Sequence, residues 1–463
     1  MFLSDKMHFE ISERKMLLRL FDVLFVLSAL YILTLFEIFN YFSLSAVTYY
    51  RGVLLAIYIN LFGSIFEMYN LQVASSQFQV TKSTLLTASV TVLFYLLTPY
   101  FSPELPTNRL QILLFFLVVF SSLLSWRLIY VAFLASKRFY QKAILLCEQE
   151  RLEELIQDLE KIDPHYKVIG YVPLNIAKNQ INYPYLERID AEFILPFIKK
   201  NNISELVIAS QGTLDITTIL YQQLLKVLES GVLIKEYTQV YENKTQRIPL
   251  QHMSRDFYRY FPFSRSNQNK LYLVTLRFFD LGVAALGILV GLLLLPFILL
   301  GNAMGNRGTL FYTQERVGKD GVVFRILKFR TMINNAEKNG AVFTTANDCR
   351  VTAFGKFMRK TRIDEFPQFI NILKGDMAVI GPRPERPVFV KEIAASMPFY
   401  ETRHIIKPGL TGWAQVNYSY GETIQDSLIK LQYDLYYIKH RSIYLDLNIA
   451  FKTITTVLFY RGQ

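Results

Sequence analysis

The chain has 463 residues, which is more than one ordinary domain holds, so we expect two or three folding units. Hydrophobic residues make up 52% of the chain and charged residues only 19%, a balance that indicates a membrane protein rather than a soluble one. The formal net charge of +12 suits anionic lipid headgroups or phosphate substrates, and nucleic acid is disfavoured because the sequence has neither zinc-finger spacing nor an RNP-like aromatic motif.

Four apolar stretches near the N-terminus predict a bundle of membrane-spanning helices. They cover residues 17–36, 52–66, 83–101 and 110–135. Each is close to the roughly 20 residues that a spanning helix needs. Cations precede the first stretch and follow the fourth, so the positive-inside rule predicts that both ends of the bundle face the cytoplasm. Charges inside the stretches lie near their ends, which argues against a transporter. We therefore predict a four-helix transmembrane region over residues 1–137 that anchors the chain.

Between residues 138 and 260 the pattern changes to alternating strands and helices. Predicted strands cover residues 143–147, 168–172, 205–209 and 232–236, and predicted helices cover residues 152–161, 194–201 and 217–230. This alternation predicts a Rossmann-like α/β domain with a doubly wound parallel sheet. A dinucleotide site needs a glycine-rich turn after the first strand, but Glu148 and Glu150 follow it here and would repel a pyrophosphate. We expect a scaffolding, dimerisation or regulatory role for this domain.

A fifth apolar segment runs from residue 281 to about residue 300. Cations flank it on both sides: Lys270, Arg277, Arg307, Arg316 and Lys319. Pro296 lies inside it and removes a backbone hydrogen bond, so it should kink the helix. A re-entrant hairpin over about residues 275–302, entering and leaving at the cytoplasmic face, accounts for both features. A kinked fifth span is the alternative.

The most informative residues are two adjacent acids, Asp364 and Glu365, in a run of basic residues. Residues 361–363 read as extended. Asp364 then lies where the N-cap of a helix is expected, with Pro367 in the first turn and the helix end at Gly375.

The expected surroundings of Asp364 favour its ionised form. The positive end of the helix dipole and the guanidinium groups of Arg359 and Arg362 both act in this direction. We therefore predict an anionic nucleophile at neutral pH. Glu365 should point about a quarter-turn away, free to hold a divalent cation or take a proton. An ordinary helix cap is the alternative.

Cations and tight turns lie on both sides of the acid pair in the sequence. Lys328 and Arg330 share one face of a predicted strand, an arrangement that suits a diphosphate clamp or an ordinary surface. The run Gly381-Pro-Arg-Pro-Glu385 predicts a rigid turn that displays Arg383. A glycine-rich loop around Trp413 suits a nucleobase or an interface.

Aromatic residues are frequent in the last predicted helices. They are Tyr433, Tyr436, Tyr437, Tyr444 and Phe451. An aromatic belt at the membrane interface and packing in the core are equally good explanations.

Four runs in order resemble a known family. They are Lys328-Phe-Arg-Thr-Met332, Asp364-Glu-Phe-Pro-Gln368, Gly381-Pro-Arg-Pro384 and Pro408-Gly-Leu-Thr-Gly-Trp-Ala-Gln-Val-Asn417. From about residue 269 onward the chain resembles the bacterial sugar transferases, the polyprenyl-phosphate hexose-1-phosphate transferases of the long-form monotopic phosphoglycosyl transferase type, exopolysaccharide subgroup. One departure is Leu295-Pro296, where many members have Ser-Pro.

This resemblance implies a two-step reaction. Asp364 would attack the sugar-bearing phosphorus of a UDP-sugar, release UMP and form an aspartyl phosphosugar. Polyprenyl (undecaprenyl) phosphate would then take the sugar phosphate from Asp364, as the first step of exopolysaccharide, O-antigen or capsule assembly. Glu365 would help to hold Mg²⁺. The candidate substrate-binding residues are Lys328, Arg330, Arg359, Arg383, Arg316 and Arg403.

The implied architecture is a mainly α catalytic domain over residues 261–463, on the cytoplasmic face of the bacterial inner membrane. The partners would be the UDP-sugar, the polyprenyl phosphate and membrane lipid, and a homodimer is plausible. A non-catalytic membrane scaffold of a polysaccharide assembly complex is the alternative function. The sequence does not indicate which sugar is transferred.

Overall fold

The computed structural model describes residues 11–35, 39–42, 47–69, 77–106, 108–134, 141–163, 166–174, 186–209, 217–250, 267, 269–306, 308–333, 348–397, 399–418 and 424–458. The predicted flanking cation Arg307 lies outside these residues. The chain divides into two compact units, Met1–Thr245 and Gln246–Gln463.

Four apolar helices form the first part of the first unit. They are α1 (Ile11–Leu35), α2 (Tyr49–Ile65), α3 (Gln77–Leu97) and α4 (Arg109–Ile129), and a π-helical turn, Tyr130–Leu134, continues α4. Residues from all four helices share one buried cluster that includes Leu30, Leu55, Val92 and Phe115. By length and composition, the segments Glu13–Leu35, Phe78–Leu97 and Arg109–Ala132 can cross a membrane. The four predicted apolar stretches are therefore confirmed as helices, although α2, with 17 residues, is shorter than these three segments.

A buried ion pair lies inside this bundle. The Arg127 Nε donates to Asp22 Oδ1 at 3.0 Å, and Arg127 Nη1 donates to the carbonyl of Met68 at 2.7 Å. Asp22 lies near the middle of α1, so the prediction that charges occur only near the ends of the spans is wrong here. Each charge has a partner, and the pair links α1 to α4.

The second part of the first unit is a five-stranded, wholly parallel sheet. Its strands are β1 (Gln141–Cys147), β2 (Tyr166–Pro173), β3 (Glu187–Arg188), β4 (Glu205–Ala209) and β5 (Leu233–Glu236), in the order β3-β2-β1-β4-β5. The helices are α5 (Leu152–Ile162), α6 (Ile194–Asn201), α7 (Thr218–Glu229) and α8 (Tyr237–Thr245).

Helices cover both faces of this sheet because its central strand is apolar on both. In β1, Leu145 packs into the cluster formed with α5 and α8, whereas Leu146 packs into the cluster formed with α6 and α7. The predicted central parallel sheet is confirmed. The two-residue strand β3 and helix α8 were not predicted.

The second unit contains a long apolar helix, α9 (Lys270–Gly301), which a π-helical segment, Asn302–Asn306, extends. A hairpin of two antiparallel strands, β6 (Phe311–Val317) and β7 (Val323–Phe329), follows. Next come α10 (Ala353–Lys360), α11 (Gln368–Lys374), β8 (Ala378–Ile380), α12 (Pro387–Ser396), β9 (Gly409–Thr411), α13 (Trp413–Asn417), α14 (Ile424–His440) and α15 (Ile443–Leu458). The predicted helical C-terminal part is confirmed.

Helix α9 runs through Pro296 as one helix and contacts its own unit near both ends. Near its start, Arg277 Nη1 donates to the carbonyl of Ile372 at 2.7 Å. Beyond its end, Asn306 Nδ2 donates to the carbonyl of Arg330 at 2.8 Å. The same folded unit therefore holds the segment at both ends.

Glycines let α9 approach the helices that follow it. A Cβ on Gly287 would overlap the ring of Phe369 in α11, and a Cβ on Gly301 would overlap the ring of Phe354 in α10. Gly291 faces Phe366, with the added Cβ 3.3 Å from the ring. Three aromatic rings thus occupy notches along α9.

The aromatic residues of the C-terminal helices divide between core and surface. Tyr437 is buried, and Tyr433 and Tyr436 pack against the same core, whereas Tyr444 is exposed. Trp413 is buried, and its Nε1 donates to the carbonyl of Gln246 at 3.1 Å. The Trp413 ring therefore packs in the core, and a nucleobase or an interface at the surrounding loop stays a prediction.

Candidate active site

The acid pair lies in a tight turn between α10 and α11. Arg362 has a φ of 58°, in the left-handed region, and it starts the single 3₁₀ turn Ile363–Glu365. Pro367 occupies the N-cap position of α11, and Gly375, with a φ of 90°, ends that helix. The predicted helix end is confirmed.

Two local predictions are wrong. Residues 361–363 are not extended, and Asp364 does not cap α11, because α10 continues to Lys360 and leaves only a short connection. The amide of Glu365 donates to the carbonyl of Arg362 at 3.2 Å, which closes the turn. This turn directs two neighbouring carboxyl groups into the unit.

Glu365 is held by three cations at one oxygen. Its Oε1 lies 3.0 Å from Arg383 Nη2, 3.3 Å from Lys328 Nζ and 3.6 Å from Arg362 Nη1. Burial alone would raise the pKa of the Glu365 carboxyl, but Arg383, Lys328 and Arg362 outweigh burial and lower it. Glu365 is therefore ionised at neutral pH and already contacts three cations, and its role in holding a divalent cation stays a prediction.

Asp364 differs from its neighbour in both burial and partners. Its side chain is buried, and its Oδ1 has no hydrogen-bond partner among the residues described. Burial raises the pKa of the Asp364 carboxyl to about 6, and the charge of Glu365 adds to this effect. The expected direction of the shift is thus wrong, because burial outweighs the nearby cations. The group is still mostly ionised at pH 7.

The predicted phosphate-binding cations occupy different places. Lys328 and Arg383 contact Glu365 directly. Arg359 Nε donates to Thr331 Oγ1 at 2.9 Å, and its charge is near enough to lower the pKa of Asp364. Arg330 follows the end of β7, and its Nε donates to the carbonyl of Thr309 at 2.8 Å. Its Nη2 also donates to the carbonyl of Asn306 at 3.1 Å, so these contacts tie Arg330 to the segment that follows α9.

The other two predicted cations, Arg316 and Arg403, contact the backbone of residues 381–385, here called the proline loop. Arg316 Nη1 donates to the carbonyl of Pro384 at 3.0 Å. Arg403 Nη2 donates to the carbonyl of Arg383 at 3.0 Å and also contacts Asp434 Oδ2 at 2.6 Å.

Two contributors were missing from the predicted site. Arg362, predicted only to add to the positive field at Asp364, contacts Glu365 directly. Asn371 in α11 accepts from the amide of Leu327 at 3.0 Å and donates to the carbonyl of Arg325 at 2.8 Å, so it fixes β7, and with it Lys328, beside the acids. The sequence signal for Asn371 is a polar residue on the apolar face of a short helix.

A magnesium site can be tested against these residues. In the described part of the chain, no group of three or more His, Cys, Asp or Glu side chains could hold a metal ion. Two carboxylates face three cations, so a bare divalent ion would meet net repulsion. Mg²⁺ usually takes one or two carboxylates and completes its shell with substrate phosphates and water. The residues therefore fit Mg²⁺ that arrives with a diphosphate.

Comparison with known proteins assigns the second unit to a family. A family model described as bacterial sugar transferase matches residues 271–460. An Aeromonas hydrophila protein named UDP-N-acetylgalactosamine-undecaprenyl-phosphate N-acetylgalactosaminephosphotransferase is 52% identical over 151 residues, which are 33% of this chain and 36% of that protein. A Klebsiella pneumoniae protein named UDP-glucose:undecaprenyl-phosphate glucose-1-phosphate transferase is 38% identical over 197 residues, which are 42% of each chain.

A third relative is matched over most of its length. It is a Bacillus subtilis (strain 168) protein, named as a candidate undecaprenyl-phosphate N-acetylgalactosaminyl 1-phosphate transferase, and it is 43% identical over 141 residues. Those residues are 30% of this chain and 79% of that protein, whereas the chain spans less than half of the Aeromonas and Klebsiella proteins. The chain therefore belongs to the bacterial sugar transferase family.

Proposed function

We propose that this protein transfers a hexose-1-phosphate from a UDP-sugar to a polyprenyl phosphate, normally undecaprenyl phosphate, and releases UMP. The observation that carries the proposal is Asp364 Oδ1, a buried carboxylate oxygen without a partner in the described structure. It lies beside Glu365, which three cations hold. A helix cap would explain neither feature, and Asp364 is not at the cap position.

In the first step an oxygen of Asp364 forms a bond to the sugar-bearing phosphorus. The bond from that phosphorus to the UMP oxygen breaks, and UMP leaves with the electron pair. In the second step an oxygen of the polyprenyl phosphate attacks the same phosphorus, and the bond to Asp364 breaks. The aspartate is regenerated, and the product is a lipid diphosphosugar.

The cations make the first step electrostatically feasible. An anionic nucleophile and a diphosphate repel each other, so positive charge must be fixed where they meet. Glu365 holds three cations beside Asp364: Lys328, Arg362 and Arg383. The positive charge of Arg359 also acts on Asp364. Glu365 therefore keeps the guanidinium and ammonium groups in place before substrate binds.

Glu365 and the substrate phosphates would together hold Mg²⁺. When bound, the ion would neutralise charge on the diphosphate and on the leaving UMP. Chelation should abolish turnover, and added Mg²⁺ should restore it.

The names of the relatives guide the choice of sugar. The Aeromonas and Bacillus proteins, 52% and 43% identical, are named for N-acetylgalactosamine, and the Klebsiella protein, 38% identical, is named for glucose. We infer that UDP-N-acetylgalactosamine is the first substrate to test, followed by its glucose and galactose relatives.

We also propose that α9 is a re-entrant membrane segment and that the catalytic unit lies on the cytoplasmic face of the bacterial inner membrane. The contacts of Arg277 and Asn306 support this placement, since one unit holds both ends of the segment. The apolar surface of α9 would then set the active site at the depth of the lipid phosphate.

The strand order of the middle sheet supports a Rossmann-like domain. Glu148 and the 3₁₀ turn Gln149–Arg151 follow β1 where a phosphate-binding turn would lie in a nucleotide-binding member. We therefore infer a scaffolding or regulatory role for this domain.

Release of UMP from a panel of UDP-sugars by the purified protein, with polyprenyl phosphate present, tests the proposal. Asp364→Asn nearly keeps the volume of the side chain but removes the nucleophile, and we expect it to abolish UMP release without loss of folding. A non-catalytic scaffold would instead keep its cellular role in polysaccharide assembly with Asp364→Asn in place.

A further inference from the structure

The proline loop carries the cation nearest to Glu365, yet it has few backbone donors of its own. Pro382 and Pro384 have no N–H group, so neither residue can donate a backbone hydrogen bond. Its position nevertheless decides where the Arg383 guanidinium lies, 3.0 Å from Glu365 Oε1. Hydrogen bonds from other segments of the chain are therefore needed to hold the backbone of the loop in place.

Four consecutive carbonyls of the loop accept hydrogen bonds from other segments. The amide of Gly409 donates to Pro382 O at 2.9 Å, and the amide of Val317 donates to Glu385 O at 2.9 Å. Between them, Arg403 donates to Arg383 O at 3.0 Å, and Arg316 donates to Pro384 O at 3.0 Å. Two arginines thus supply what the prolines lack.

Arg403 is buried among partners that fix its direction. Its Nη1 donates to Tyr400 Oη at 2.7 Å, and its Nη2 contacts Asp434 Oδ2 at 2.6 Å. Asp434, on α14, is almost fully buried, and a buried carboxylate requires such a charged partner. A continuous chain of contacts therefore runs from Asp434 through Arg403 and the Arg383 carbonyl to Glu365.

We propose that Asp434 and Arg403 are positioning residues that set the Arg383 guanidinium on Glu365 by holding the backbone of the proline loop, without touching substrate. The inference rests on the proposed function for its kinetic readout. It gives Arg403 a different task from the phosphate contact that the sequence predicts. It also assigns a role to Asp434, which lies 51 positions after Arg383 in the chain.

A double-mutant cycle tests the inference. Asp434→Asn should lower kcat/KM for the UDP-sugar by about tenfold, because the backbone of the proline loop is no longer held in one position. In an Arg383→Ala background the same substitution should change kcat/KM by less than about twofold, because there is no guanidinium left to position. Losses that multiply in the double variant would overturn the inference, since Asp434 would then act independently of Arg383.

Asp446→Asn is the matched control. Asp446 is also a buried acid of the C-terminal helices, but it accepts from Tyr272 and Tyr437, neither of which belongs to the proline loop. It should leave kcat/KM within about twofold even where the melting temperature falls as much as in Asp434→Asn. Equal kinetic losses in both variants would mean that general destabilisation, not positioning, explains the effect.

A second measurement does not depend on activity. Hydrogen exchange at the amides of Gly381, Arg383 and Glu385 should accelerate in Asp434→Asn and not in Asp446→Asn. If the wild-type protein released no UMP, the proposed function would fail while this comparison still decided whether Asp434 holds the loop. Unchanged exchange in both variants would overturn the inference.

Discussion

Burial and charge act in opposite directions on the two neighbouring carboxyl groups of the site. Glu365 has three cations at one oxygen, so charge prevails and its pKa falls. Asp364 is equally buried, but its Oδ1 has no hydrogen-bond partner in the described residues, so burial prevails and its pKa rises to about 6. One acid thus contacts the cations, and the other has a buried oxygen without a hydrogen-bond partner, as the proposed nucleophile requires.

This pKa predicts how the first half-reaction depends on pH. Protonated Asp364 cannot attack phosphorus, so kcat/KM for the UDP-sugar should fall tenfold per pH unit below about pH 6 and level off above about pH 7. Quench-flow measurement of UMP formation in the absence of polyprenyl phosphate isolates this step. A rate that stays constant from pH 5 to pH 8 would contradict the assignment.

Removing the charge of Glu365 should have two separable effects. Glu365→Gln releases Lys328, Arg362 and Arg383, so we expect UMP formation to slow by about 100-fold. Because the Glu365 charge contributes to the raised pKa of Asp364, the remaining activity should persist to lower pH. The pH profile of the variant checks this. A profile shifted to higher pH would show that the two carboxyl groups do not interact in this way.

At the scale of elements, the regular patterns were predictable and the turn between α10 and α11 was not. Short apolar runs located β1, β2 and β4 to within a few residues, because buried parallel strands leave a strong signal. Strand β5 was also located, although it is only partly buried. Strand β3 has two exposed residues and no such signal. The acid turn was misread because α10 was not predicted, and without it residues 361–363 had room to be extended.

In the candidate active site, too, some features could be predicted from the sequence and others could not. Short sequence runs singled out the acid pair, Lys328 and Arg383, but not the contacts of the two cations with Glu365. The carbonyl contacts of Arg316 and Arg403 depend on packing between distant segments, which no local pattern encodes.

The packing of α9 can be tested by adding a single methyl group. In Gly287→Ala the new Cβ would overlap the Phe369 ring, so we expect a loss of about 1–3 kcal/mol in stability and a drop in melting temperature. Gly282→Ala is the control on the same helix, since no described atom lies within 4 Å of its added Cβ. Thermal unfolding of the full chain in detergent measures both. Equal melting temperatures for the two variants would mean that α9 does not pack on α11 as described.

At the scale of the whole molecule, the charged flanks of α9 and its contacts at both ends lead to one expectation about topology. Lys319, in the turn between β6 and β7, should face the cytoplasm, whereas Tyr100, after α3, should face outward. In a Cys349→Ser background, an impermeant maleimide should label Tyr100→Cys in intact spheroplasts and Lys319→Cys only after lysis. Outside labelling of Lys319→Cys would identify α9 as a true fifth span.

The role of Asp364 as the nucleophile is tested most directly by trapping the covalent phosphosugar intermediate. The protein would be mixed with a UDP-sugar in the absence of polyprenyl phosphate, quenched in acid within milliseconds and digested for mass spectrometry. We expect one equivalent of UMP and a hexose-phosphate adduct on Asp364. Formation of UMP only when polyprenyl phosphate is present, with no adduct on Asp364 at any quench time, would contradict the proposed nucleophile.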